Sequence, residues 1–123
     1  MSRKPVYLTT PIYYVNDKPH IGHAYTSLAT DVLARWKRLA GEEVFFLTGT
    51  DEHGQKVEKA ARDAGMEPQA FTDGVSQSFR LLAERMNFSH DDFIRTTEPR
   101  HHRACQALWQ ALAGRGEIHL GHY

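Results

Sequence analysis

Pro19-His20-Ile21-Gly22-His23 sets two imidazoles three residues apart around a glycine. In the first turn of a helix, residues at that spacing lie on roughly the same side, so His20 and His23 can donate to one polyanion. A helix N-terminus adds unpaired N–H groups and the positive end of the peptide dipole, the combination that binds phosphate. Gly22 has no Cβ, which lets a planar base approach the backbone. A bare H-x-x-H describes solvated capping side chains equally well. Here the motif follows a strand and a loop and opens a long helix, and that context points to a nucleotide site.

The second cluster is Leu47-Thr48-Gly49-Thr50-Asp51-Glu52-His53-Gly54. Asp51 has two readings. It can hold a substrate ammonium through charge-assisted hydrogen bonds, or it can cap the following helix. Glu52 reads as a cap or an early residue of that helix. His20, His23, Asp51 and His53 would make a chemically reasonable zinc set. The chain lacks an H-E-x-x-H spacing, and the four come from two separate segments, so no metal site is expected. Arg100-His101-His102-Arg103, near Arg95, reads as a solvated helix start. Trp36, Trp109 and Cys105 read as core residues.

These clusters need elements to hold them. Val6-Tyr7-Leu8-Thr9-Thr10 is β-branched and aromatic and predicts a strand, with an end or bend at Pro11, which has no N–H to give a ladder. Asn16-Asp17-Lys18-Pro19 is a loop by its turn residues. From Gly22 the period changes: Tyr25, Leu28, Ala29, Val32, Leu33, Trp36, Leu39 and Ala40 form one apolar helical face, and Gly41 ends it. Val44-Phe45-Phe46-Leu47-Thr48 is a continuous apolar run, which predicts a strand buried on both faces. Strand, helix, strand makes a βαβ unit with parallel pairing, so both clusters fall on the same carboxyl rim. Downstream, Gln55–Ala64 is helical, and Pro68 opens a helix with a Phe71, Val75, Phe79, Leu82, Met86 stripe. Asp92–Thr96 predicts a short strand. Glu98-Pro99 opens a helix carrying Ala104, Leu108, Ala111 and Leu112 up to Gly114, and residues 117–123 predict a last strand.

Composition sets the outer limits. The chain has 123 residues, 41% hydrophobic and 24% charged, which is ordinary for one globular domain. Fifteen basic residues balance fifteen acidic ones, which argues against a histone-like nucleic-acid binder. The single cysteine excludes an internal disulfide. No apolar run reaches membrane-helix length and no apolar signal stretch follows the N-terminus, so a cytoplasmic location is expected.

Thr9-Thr10-Pro11-Ile12-Tyr13-Tyr14-Val15-Asn16, the HIGH tetrapeptide His20–His23, and Thr48-Gly49-Thr50-Asp51-Glu52-His53-Gly54-Gln55-Lys56 together closely resemble methionyl-tRNA synthetase. The tetrapeptide marks class I aminoacyl-tRNA synthetases generally, and the flanking segments narrow it to the methionine enzyme. The resemblance implies an α/β, Rossmann-type nucleotide-binding fold with a parallel sheet, of which this chain holds the first half. It implies activation of methionine by ATP, with Mg²⁺ on the phosphates, and transfer to tRNA. His20, Gly22 and His23 match the motif that binds ATP, with His20 and His23 catalytic. Ile12 and Tyr14 match the wall of the methionine pocket, and Asp51 matches the acidic partner of the methionine amino group.

Complete members of that family are several times longer. The expectation is that residues 1–115 are the N-terminal half of the catalytic domain and 116–123 the start of a connecting insertion. The chain alone is expected to be inactive, since the K-M-S-K-S loop and most tRNA-binding parts are missing. Two other functions stay open. A small H-x-G-H nucleotidyltransferase would want a glycine-phenylalanine-aspartate element at the first strand end, where this chain has Thr-Thr-Pro-Ile. A non-catalytic remnant that binds nucleotide or methionine is the other.

Overall fold

The computed structural model describes residues 5–122. Strand β1 runs Val6–Thr9, and β2, Tyr13–Tyr14, resumes the same edge after a break over residues 10–12 that includes Pro11. Helix α1, Ile21–Leu39, crosses to β3, Val44–Asp51. Helices α2, Gln55–Asp63, and α3, Pro68–Arg85, lead to β4, Asp92–Arg95, and α4 spans Pro99–Gly114. All pairings are parallel. Val6 lies opposite Val44, Tyr14 opposite Asp51, and Leu47 opposite Asp92, so β3 is the central strand. The expected βαβ unit is present.

Strand β3 is longer than the apolar run suggested. It continues through Gly49, Thr50 and Asp51, because β4 and β2 pair with it that far. Gly49 permits this. A Cβ there would stand 2.0 Å from the carbonyl oxygen of Ile94, inside the neighbouring strand.

The core lies on one face of the sheet. Tyr13, Val15, Val57, Phe79 and Phe93 form it, with Phe71 and Val75 packed alongside. Phe46, Thr48 and Thr50 are buried. The other face is largely bare: Tyr7 and Phe45 stack at 5.9 Å, and Phe45 remains 45% exposed. The expectation that 44–48 is buried on both faces is therefore corrected. Among the described residues only one layer of helices covers the sheet closely, and over residues 44–48 only Phe46 and Thr48 are buried.

Helix α1 also departs from its reading. Its inward line is Ser27, Asp31 and Ala34, whereas the periodic apolar stripe faces outward, with Trp36 58% and Leu39 88% exposed. Polar partners explain why the inward side needs no large apolar groups. Ser27 Oγ pairs with Tyr13 Oη at 2.9 Å, and Asp31 accepts from Ser89 N, Ser89 Oγ and Arg35 Nε at 2.6–2.7 Å. Burial works to raise the Asp31 carboxyl, but these donors outweigh it and hold it below its ordinary value.

In α3 the expected stripe is inward except at Met86, and Thr72 and Ser76 join Phe79 in the buried line. Helix α4 buries no residue. Trp109, read as core, is 62% exposed, and Cys105 is also exposed, its Sγ 3.2 Å from His101 Nε2. The expected last strand does not form: residues 117–122 have no regular secondary structure, and Tyr123 lies outside the described residues.

Candidate functional site

The chain enters α1 through a reciprocal histidine cap. His20 is the N-cap, and its Nδ1 accepts from Gly22 N at 3.1 Å, while His23 Nδ1 accepts from His20 N at 3.0 Å. This satisfies two of the donors that a helix start leaves unpaired. It also fixes the tautomers. Each Nδ1 is an acceptor, so each neutral ring carries its proton on Nε2, free to donate elsewhere. The rings lie 3.8 Å apart between centroids, so the two donors are held as a pair.

His23 is lodged against Tyr13 at 4.9 Å and Phe79 at 5.1 Å, both edge-on. Burial there, with a smaller effect of His20, pushes its pKa below the ordinary 6.5, toward the neutral form that the cap uses. Gly22 serves the cap directly: a Cβ would stand 2.9 Å from His20 Cε1 and 3.0 Å from Nδ1.

A cavity of about 600 Å³ opens before this cap, walled by Ile12, Tyr14, Asn16, Asp17, Lys18, His20 and His23 among others. Asn16, Asp17 and Lys18, loop residues by their sequence, join this wall. Their adjacency to the histidines was the signal available. A second cavity of about 340 Å³ is lined by Tyr14, Asp51, His53, Gly54, Gln55 and Lys56. Tyr14 stands in the wall of both, and it pairs in register with Asp51. Tyr14 thus stands between the histidines and the carboxylate, with Ile12 on the histidine side.

Asp51 is the last residue of β3, and Gly54 caps α2 without a side-chain bond, so Asp51 is not a helix cap. Glu52 is not one either. It is 4% exposed and accepts from Arg95 Nε at 2.7 Å, Arg95 Nη2 at 2.9 Å and Thr50 Oγ1 at 2.8 Å, and also from Thr97 Oγ1. Burial works to raise its carboxyl, but Arg95, Thr97 and Thr50 outweigh that and hold it below its ordinary value; Glu52 in turn raises Arg95. Arg95 also reaches Asp73 of α3. Sequence reasoning missed this network, although Glu52 continues the alternation of Thr48 and Thr50. Arg100 is exposed at the start of α4, as expected of a solvated helix start, and pairs there with Asp92 and Glu98.

The four possible metal ligands do not gather. His20 and His23 bind each other's backbone, whereas Asp51 and His53 line the other cavity, and no group of three metal-binding side chains converges among the described residues. Among the described residues, then, no cluster of these side chains fits Mg²⁺ by itself. No helix of the described residues is long and apolar enough to cross a membrane.

A parallel nucleotide-binding sheet whose first crossover helix starts with a HIGH tetrapeptide defines a class I aminoacyl-tRNA synthetase catalytic unit. Comparison with known proteins agrees: the family described as tRNA synthetases class I (M) matches residues 6–123, and the chain belongs to that family. Methionine–tRNA ligase of Rickettsia bellii is 66% identical over 117 residues, covering 95% of this chain and 23% of that protein. The Mesorhizobium japonicum methionine–tRNA ligase is 58% identical over 123 residues, all of this chain and 24% of that protein. Mycobacterium tuberculosis methionyl-tRNA synthetase, solved in complex with methionyl-adenylate, superposes with a TM-score of 0.94 at 49% identity, over 98% of this chain and 24% of that one. The chain thus spans about a quarter of the length of these relatives.

Proposed function

We propose that this chain is the adenylate-forming part of a methionine–tRNA ligase: it binds methionine and ATP and supports formation of methionyl-adenylate, which is then transferred to tRNA. The observation that carries this reading is the histidine pair, two imidazoles held through Nδ1 at the start of a 19-residue helix, which leaves Nε2 as the donor of each neutral ring. In the reaction the methionine carboxylate attacks the α-phosphorus of ATP, a P–O bond forms, and the bond to pyrophosphate breaks. No protein nucleophile is required, so the protein positions the reactants and stabilises charge. His20 and His23 donate to phosphoryl oxygens, whose negative charge grows in the transition state. Lys18, in the wall of the same cavity, adds a positive charge beside the imidazoles. Asp51 accepts from the methionine ammonium, and Ile12 and Tyr14 wall the thioether side chain. Residues 1–115 are the N-terminal half of the catalytic domain in this proposal, and 116–123 open the connecting insertion. The protein works in the cytoplasm.

The test is a chimera in which residues 1–123 replace the matching quarter of the Mesorhizobium japonicum enzyme. Methionine-dependent ATP–pyrophosphate exchange within about tenfold of the parent is expected, since only one decade, about 1.4 kcal/mol, is allowed for the new junction. A folded chimera without exchange would overturn the reading. The 123-residue chain alone is expected to show none.

A further inference from the structure

We propose that Glu52 is a positioning residue: its buried carboxylate, locked to Arg95, Thr50 and Thr97, aims Asp51 at the amino-acid end of the site. This rests on the methionine-activation reading above.

On a strand, successive side chains point to opposite faces. Thr48 and Thr50 are buried on the core face, and Glu52, just beyond the strand end, follows them inward with its side chain wholly unexposed. Asp51, between Thr50 and Glu52, is therefore turned the opposite way, where it lines the second cavity with Tyr14. A slip of one residue would exchange the two carboxylates.

The environment of Glu52 is built to prevent that slip. A buried carboxylate is tolerated only when its lone pairs are occupied. Here four donors converge on two oxygens: Arg95 Nε and Thr50 Oγ1 on Oε1, Arg95 Nη2 and Thr97 Oγ1 on Oε2. Two further bonds tie the backbone at this end: Thr96 N donates to Thr50 O at 3.2 Å, and Glu52 N donates to Thr96 Oγ1 at 2.8 Å. Asp73 holds Arg95 from α3, so three elements fix the point where Glu52 is seated. Immediately afterwards the chain turns through Gly54 at a φ of 117°. Asp51 thus stands on the last clamped stretch before a turn. Asp51 itself takes no hydrogen bond from this network; its direction comes from its neighbour.

The experiment uses the chimera described above, comparing Glu52→Gln, Arg95→Lys and the double variant Glu52→Gln/Arg95→Gln. Whichever way it turns, a carboxamide sets its N–H₂ against a donor of Arg95, so Glu52→Gln should raise the methionine KM about tenfold or more, as expected for a misaligned charge-assisted contact. The KM for ATP should stay within about twofold, since binding lost at one substrate leaves the other's constants in place. The double variant pairs two carboxamides and should bring the methionine KM back to within about threefold of the parent chimera. Arg95→Lys keeps the charge but loses the fork, and should raise the methionine KM alone even if Glu52→Gln fails to fold.

A lower melting temperature with both KM values unchanged would make Glu52 purely structural and overturn the proposal. Equal rises for methionine and ATP would overturn it too, by showing a general loss of the site. An unmutated chimera that folds but forms no adenylate would instead remove the reading on which the proposal stands.

Discussion

Gly22→Ala separates the two duties of the histidine cap. The new Cβ would stand 2.9 Å from His20 Cε1 and 3.0 Å from Nδ1, so the ring has to swing aside. Swinging breaks the bond from Gly22 N to His20 Nδ1, and with it the 3.8 Å ring pairing to His23. Loss of an N-cap bond costs about 0.5–2 kcal/mol. Replacing glycine by alanine inside a helix returns about 0.5–1 kcal/mol. The two nearly cancel, leaving a net change between about 0.5 kcal/mol of gain and 1.5 kcal/mol of loss. Activity has no such compensation. On the proposed reading a displaced His20 would no longer donate to the phosphates, and one positioned donor is typically worth about 10²–10³ in rate. The assay is single-turnover adenylate formation in the chimera, with a thermal melt of the same sample. The expected result is a melting temperature within a few degrees of the parent and adenylation slowed at least about a hundredfold. A Gly22→Ala protein that forms adenylate at the parent rate would show that His20 keeps its duty without the cap, and the reasoning would fail.

Other substitutions test other parts. Asp51→Asn should weaken methionine binding by about 10- to 150-fold with ATP binding nearly unchanged, measured by equilibrium titration; equal weakening of both would assign Asp51 to the phosphates or their cation. The depressed pKa of His23 gives a signed pH effect. Neutral His23 is favoured in the folded state, so its contribution is complete above pH 6.5 and fades as pH falls below that toward its lowered value. Melting temperatures from pH 7.5 to 5 should therefore fall more steeply for the wild type than for His23→Gln, and parallel curves would refute this. Gly49→Ala would drive a Cβ to 2.0 Å from Ile94 O and should cost about 3 kcal/mol, the upper part of the usual overpacking range, read as a shifted urea midpoint. An unshifted midpoint would mean that β3 and β4 separate freely.

The site was more legible than the packing. A glycine-spaced histidine pair after a strand is a local pattern, and the cap that forms uses only residues 20–23. Asp51 was placed at a strand end by the same kind of local reading, and β3 ends there. The apolar stripe of α1 gave the helix but not its facing. Periodicity states that Leu28, Val32 and Trp36 share a side; it does not state what that side meets. The inward side uses Ser27 and Asp31, whose partners Tyr13 and Ser89 are remote in sequence and invisible to a periodic count. Glu52 was missed for a related reason. Its main partner, Arg95, lies 43 residues away, so charge near a predicted helix start suggested a cap instead.

The way α1 is held has a mechanical consequence. Its inner side is fastened by directional bonds, which resist rotation about the axis better than apolar packing does. With 19 residues at 1.5 Å each, it is a rod about 28 Å long. The histidine pair sits at one end of this rod, and the apolar stripe runs along its outer side toward the other. Rocking such a rod about its middle by about 4° moves each end by about 1 Å. A displacement of that size at reacting groups costs on the order of a hundredfold in rate. A partner bearing on the exposed Val32, Trp36 and Leu39 would therefore have leverage over the positions of His20 and His23 at the other end of the helix.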